Sequence, residues 1–204
     1  MSCRISAAIA SLALTVSAAP GFGACPTNYQ AQASFDPERY LGVWHEIYRD
    51  AYMWYEQGAS CTTAEYTRLE DSSVEVYNAA KYWFVGWYGM KGNAAVSDRG
   101  DASLVVSFGN KPAPSDRANY EIISTDYDSY AIVYSCQNFY GGWFSNESFW
   151  ILARETTLSE TKLAELLKMV DEKLPSYDYK RFAEFTKTDA DFCQYDQRKM
   201  MRPK

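Results

Sequence analysis

The chain has 204 residues and a net charge of -6, with acidic and basic side chains interspersed. That length fits one domain plus a removable leader, and a negative chain with no Lys/Arg cluster excludes nucleic acid as a partner. No period repeats, and nothing after the leader is long and apolar enough to cross a bilayer as a helix.

Residues 1–24 read as an export signal ahead of a domain over 25–204. Arg4 supplies the positive start, Ser6 to Val16 the short apolar run, and Ser17, Ala18 and Ala19 a cleavage neighbourhood, with a second option after Ala24. The expected product is secreted. Phe22-Gly23-Ala24-Cys25 is a weak match to a lipidation box, so an anchored form at Cys25 is the minor alternative. Cys3 leaves with the leader, and Cys25, Cys61, Cys136 and Cys193 remain. An even number in an exported domain predicts two disulfides, with three pairings open. Asn146-Glu147-Ser148 is a glycosylation sequon.

Short strand-like runs follow: Trp44 to Arg49, Cys61 to Leu69, one starting at Val74, then Tyr82 to Met90 continued by Ala94 to Ser97, an element interrupted by Gly86, Gly89 and Gly92. Ala102 to Phe108, Tyr120 to Thr125, Tyr130 to Cys136 and Glu147 to Arg154 complete eight. Turn residues separate them and no helix intervenes, the pattern of an antiparallel sandwich or barrel. Thr157-Leu158-Ser159-Glu160 then predicts a capping box. Leu163, Leu166, Leu167, Val170 and Leu174 recur at helical spacing before Pro175, so one amphipathic helix is expected to lie on the outside of the sheet. A short strand near Phe182 to Thr186 and a tail with Cys193 end the chain.

Three stretches carry a resemblance. Phe35-Asp36-Pro37-Glu38-Arg39-Tyr40-Leu41-Gly42-Val43-Trp44 resembles the lipocalin entry turn and Gly-x-Trp strand. Ser124 to Cys136 resembles the family's second motif, and Phe149 to Arg154 followed by Thr157-Leu158 its third. In order and at these separations they identify the chain as similar to the apolipoprotein D group, which includes insect bilin-binding proteins and crustacean carotenoid-binding crustacyanins. The resemblance implies an eight-stranded up-and-down barrel that holds one small ligand. It implies that Trp44 plugs one end with Arg154 stacked across its ring, and that the disulfides are Cys25–Cys136 and Cys61–Cys193. It also makes Trp150 a pocket residue.

Alternation from Trp44 and Arg154 predicts that Glu46 and Tyr48, and Trp150 and Leu152, face inward. Seventeen Tyr, ten Phe and six Trp suit a flat conjugated ligand. Tyr52 and Trp54 on the first loop, with Tyr82, Trp83 and Trp87, are expected near the mouth, and Tyr66 and Tyr134 join them as strand tyrosines. The leading expectation is a carrier of a carotenoid or non-covalent bilin, and the alternative a colourless lipid, sterol or fatty-acid carrier. No cofactor is required and no metal-ligand spacing occurs. Catalysis has little to build on: His45 is the only histidine and falls out of register with Trp44, which also disfavours haem. Glu46, if inward, is a buried acid with a raised pKa. Phe139, Tyr140, Trp143 and Phe144 offer a contact patch for homo- or hetero-oligomers.

Overall fold

A computed structural model of the chain describes residues 21–53, 56–109, 118–186 and 188–200. Its strands are β1 (Gly21–Phe22), β2 (Gly42–Asp50), β3 (Ala59–Arg68), β4 (Val74–Tyr82), β5 (Gly86–Val96), β6 (Ser103–Phe108), β7 (Tyr120–Thr125), β8 (Tyr130–Phe139), β9 (Phe144–Ala153) and β10 (Ala183–Phe185). Helices are α1 (Pro37–Tyr40), α2 (Glu160–Lys173), α3 (Tyr179–Phe182), α4 (Ala190–Cys193) and α5 (Asp196–Met200). Strands β2 to β9 pair antiparallel in sequence order, and β9 also pairs with β2, which closes an eight-stranded barrel. The short β10 adds to the upper half of β2 as a ninth strand.

Alternation divides the strands into two faces. Trp44, Tyr66, Val76, Ala94, Leu104, Ile122, Val133 and Leu152 form one buried cluster inside the barrel. The opposite face of β7 to β9 contributes Ile123, Tyr130, Ile132, Tyr134, Phe149 and Ile151 to a second cluster that also contains Leu166, Val170 and Leu174. Large side chains on the second face of β8 alternate with the smaller Ala131, Val133 and Ser135 on the first, so one strand serves two cores.

The barrel is shut at the end where β2 begins. Asp36 caps α1, its carboxylate accepting from the Glu38 and Arg39 N–H groups, and Pro37 supplies a preset first helical residue. Trp44 is fully buried, its Nε1 donating to Tyr40 O at 2.9 Å. The Arg154 guanidinium lies 3.6 Å from the Trp44 ring centre and donates to the carbonyls of Tyr127, Val43 and Arg39 at 2.9, 3.0 and 2.9 Å. Gly42, at φ +96°, leaves room for it: a Cβ there would sit 3.3 Å from Arg154 Nη1.

Disulfides join Cys25 to Cys136 and Cys61 to Cys193. The first occupies the Cys25 sulfur, which a lipid anchor would need free. The second pins the C-terminal tail over the outside of β3 to β5, where Cys193 and Tyr195 pack with Trp87, Tyr77 and Ala79. Arg198, also buried, reaches Glu65 and Thr63 from the same tail.

Three sequence expectations need correction. Tyr82 ends β4 rather than opening the next strand, and Trp83 to Val85 form the hairpin tip between them. Gly86, Gly89 and Gly92 do not interrupt β5: a Cβ on Gly89 would meet the Tyr77 ring and one on Gly92 would meet Ser107 O, so glycine is what lets the strand run through. The helix starts two residues later than the capping box implied, with Ser159 as cap accepting from Lys162 N. Most of the expected leader, residues 1–20, lies outside the described residues. Gly21 and Phe22, read as its end, pair with Ser145 and Phe144 of β9.

Candidate functional site

The site is the upper, open half of the barrel. Its walls are the ends of β2 to β9 away from Trp44, and its rim is the hairpin tips. Below it aromatic rings crowd the interior, leaving a small pocket lined by Phe35, Tyr40, Leu41, Tyr66, Val74 and Leu104. Tyr40 and Tyr120 hydroxyls meet at 3.0 Å, Tyr66 packs edge-on against both rings, and Tyr120 stacks on Trp150 at 6.3 Å. Burial pushes the Tyr40, Tyr66 and Tyr120 hydroxyls well above their usual range, so this floor is neutral.

Above the floor the inner wall opens. Trp87 faces outward, so Tyr88 and Met90 take the inward row of β5 with Gly92 and Ala94. They remain 59% and 45% exposed although they point toward the barrel axis. Met90 lies directly opposite Asn78, and Phe108 opposite Gly92. Tyr82 is half-buried near the mouth.

One side of this chamber is charged. Glu46 is buried and takes a 2.7 Å hydrogen bond from Thr186 Oγ1. Arg49 Nη1 sits 3.5 Å from Glu46 Oε1 and 3.6 Å from Glu56 Oε2, and Nη2 reaches Glu184 Oε1 at 3.2 Å and Ala59 O at 3.3 Å. The Trp150 indole N–H donates to the Glu56 carboxyl. Burial pushes the Glu46 carboxyl up against the pull of Arg49. Burial and then the facing Glu46 hold Glu56 well above the carboxylate range. Burial disfavours the Arg49 cation, but the carboxylates around it outweigh that and raise its pKa.

The expected site residues distribute unevenly. Glu46, Tyr66, Tyr82, Trp150 and Leu152 are on the inner side. Tyr66 and Leu152 belong to the packed lower core rather than the chamber. Tyr52 and Trp83 are exposed on the rim, Trp83 at 84%. Trp54 lies outside the described residues.

Tyr48, Trp87 and Tyr134 are corrections. A bulge between Glu46 and Tyr48 inserts Ile47, so Tyr48 pairs with outward Ile151 and packs in the outer cluster. Tyr134 is on that outer face too, donating to Glu147 Oε2 at 2.9 Å. Trp87 is buried under the tail, its Nε1 donating to Cys193 O at 3.0 Å. Asn146 of the sequon is half-buried within β9, opposite Gln137. Arg49, Glu56, Asn78, Met90, Phe108 and Tyr120 were not anticipated. Tyr88, next to Trp87 in the sequence, takes the opposite face of β5.

His45 turns outward, its Nδ1 3.0 Å from Arg154 O and its ring against Tyr195. Among the described residues no group of His, Cys, Asp and Glu could hold a metal ion. No described helix is long and apolar enough to cross a membrane.

The sequence profile of the lipocalin-like domain matches residues 35–187. Over 138 residues the chain is 36% identical to apolipoprotein D of Rattus norvegicus, covering 67% of this chain and 69% of that protein. It is 32% identical over 166 residues to the Lazarillo protein of Schistocerca americana, covering 78% and 73% of the two chains. Among solved structures, insecticyanin from the tobacco hornworm Manduca sexta superposes with a TM-score of 0.71 at 22% identity, covering 86% of this chain and 92% of that one.

Proposed function

The chain belongs to the lipocalin family of small hydrophobic ligand carriers, and we propose that its own ligand is a flat conjugated molecule, a carotenoid or a non-covalently held bilin. The observation that carries this reading is the aromatic build of the open chamber. Tyr120 and Trp150 make its floor, Phe108 and Tyr88 line its wall, and Tyr52 and Trp83 stand at its rim. Rings offer broad contact to a planar ligand, and phenol and indole tips orient it. Burying about 400 Å² of apolar ligand is worth roughly 10 kcal/mol before association costs, enough for micromolar to nanomolar affinity. A thioether-linked bilin has no thiol to use among the described residues, because all four cysteines there are in disulfides.

In this reading α2 lies against the outside of the barrel, and its share in the outer cluster supports that. The interior is then left to the ligand. The protein works as an exported carrier, with no catalytic step assigned to it. Assembly with other copies or partners would use the exposed Tyr140 and Trp143 beside Phe139.

The test is the absorption spectrum of protein purified from its native source. A visible band removed by organic extraction supports a pigment, and its shape separates carotenoid from bilin. Protein absorption alone overturns the pigment reading and leaves a colourless lipid.

A further inference from the structure

The charged side of the chamber has more acceptors than donors. Three carboxyl groups, from Glu46, Glu56 and Glu184, share the single guanidinium of Arg49. Two of them are on the barrel's inner side. Glu46 pairs across with inward Leu152, and Glu56 reaches inward Trp150. Glu184 is half-exposed on β10.

Two inner oxygens are buried without a hydrogen bond: Asn78 Oδ1, and Glu56 Oε2, which faces Arg49 Nη1 at 3.6 Å. Asn78 lies in the inward row of β4, paired with Ala64 on one side and Met90 on the other. Ala64 in turn pairs with Trp44, one inward step below Glu46. The unpaired amide oxygen and the carboxyl pair therefore belong to neighbouring rows of the same wall. Buried acceptors left without donors are destabilising, and a group that brings N–H donors would satisfy them.

We propose that this wall binds the polar end of the ligand and that the group it takes is a cationic nitrogen, the ammonium of a lipophilic amine. An ammonium brings three N–H donors and a positive charge, which compensates ionisation of Glu56, a group that burial and the facing Glu46 otherwise keep protonated. A ligand carboxylate would meet Glu46 and Glu56 with Arg49 already shared three ways. An alcohol would satisfy one acceptor and none of the charge. The apolar body would lie toward Trp150, Met90 and Phe108. The other ionisable groups turned toward this wall are the Tyr82 phenol, which feels Glu56, Arg49 and Glu46, and Glu184. This rests on the carrier reading but not on the ligand being coloured.

The test uses three probes of equal chain length on the intact disulfide-bonded protein at pH 7: dodecylammonium, dodecanol and dodecanoate, titrated by tryptophan fluorescence and calorimetry. The expected order is ammonium at least tenfold tighter than alcohol, with carboxylate weakest. In Glu56→Gln the ammonium advantage falls by tenfold or more while dodecanol binding stays within twofold, which also shows that the variant is folded. Carboxylate binding as tightly as ammonium overturns the inference and leaves the carrier reading standing. So does an ammonium preference that Glu56→Gln leaves untouched, since the cation then sits elsewhere. Failure of all three probes to bind overturns both.

Discussion

Replacing Arg154 with alanine tests whether the closed end holds the barrel together. The guanidinium makes three hydrogen bonds to backbone carbonyls, of Tyr127, Val43 and Arg39, which belong to three separate segments, and it covers the fully buried Trp44 ring at 3.6 Å. Hydrogen bonds from a charged donor contribute about 1.5–3 kcal/mol each, and the cation–ring contact roughly 0.5–2 kcal/mol. These do not add, because Arg154 is half-buried and water can reach part of what is vacated. A loss of about 3–5 kcal/mol is expected for Arg154→Ala. Arg154→Lys should lose about half of that, since a point charge cannot fork to three carbonyls. With a urea slope near 2 kcal/mol/M, the alanine variant should unfold at roughly 2 M lower urea. Equilibrium urea unfolding followed by tryptophan fluorescence, disulfides intact, reads this directly. Ligand affinity of the folded variant should stay within about threefold, because the contact is at the end away from the chamber. A loss under about 1 kcal/mol would refute the structural role, and a large affinity drop at preserved stability would place Arg154 in the site.

Asp50 is buried, accepts from the Tyr177 hydroxyl at 2.9 Å, and is pushed by burial up to about 6. A carboxyl raised above its unfolded value stabilises the fold below that value and loses the contribution as pH rises through the folded one. Going from pH 7 to pH 5 should therefore add roughly 1.4 kcal/mol from Asp50, a few degrees in Tm. Asp50→Asn should remove this gain and isolate it from His45, whose lowered pKa acts in the opposite sense; an unchanged slope in the variant would refute the assignment. Leu166→Ala, at a side chain with no exposed surface in the cluster it shares with residues of β7 to β9, should lose about 3–5 kcal/mol in the same urea assay. The paired Cys61→Ser, Cys193→Ser variant opens a crosslink spanning 132 residues. In the chain-entropy relation that lowers stability by about 5 kcal/mol, and Trp87, released from the tail, should shift its emission to the red.

The barrel was legible because its strands obey a period of two that nothing in the local sequence contradicts, and the closed end because Gly42, Trp44 and Arg154 are chemically distinctive. The chamber was less so, for reasons tied to single residues. Tyr134 was read as a pocket tyrosine, yet Tyr130, Ile132 and Tyr134 alternate with Ala131, Val133 and Ser135. On a strand buried on both faces, the large row is the one clustered with Leu166, Val170 and Leu174. Trp87 could not be placed without knowing that the Cys61–Cys193 bond folds the tail over it. Glu56 sits on a loop, where alternation says nothing.

The bulge at Ile47 has the largest effect and no sequence signature. Strict alternation from Trp44 would send Glu46, Tyr48 and Asp50 inward. The extra residue passes Tyr48 to the outer cluster, where it packs against Phe149 and Phe185, and brings Arg49 opposite inward-facing Trp150. It also leaves Asp50 outside, under Tyr177. One inserted residue therefore exchanges a phenol for a guanidinium on the chamber wall. Glu46 and Glu56 are buried side by side with that cation against both; burial and Glu46 hold Glu56 above the carboxylate range, and Arg49 compensates the charge that remains. The polar character of the chamber, and with it the class of ligand head it accepts, follows from a local irregularity of β2 rather than from the strand pattern that defines the fold.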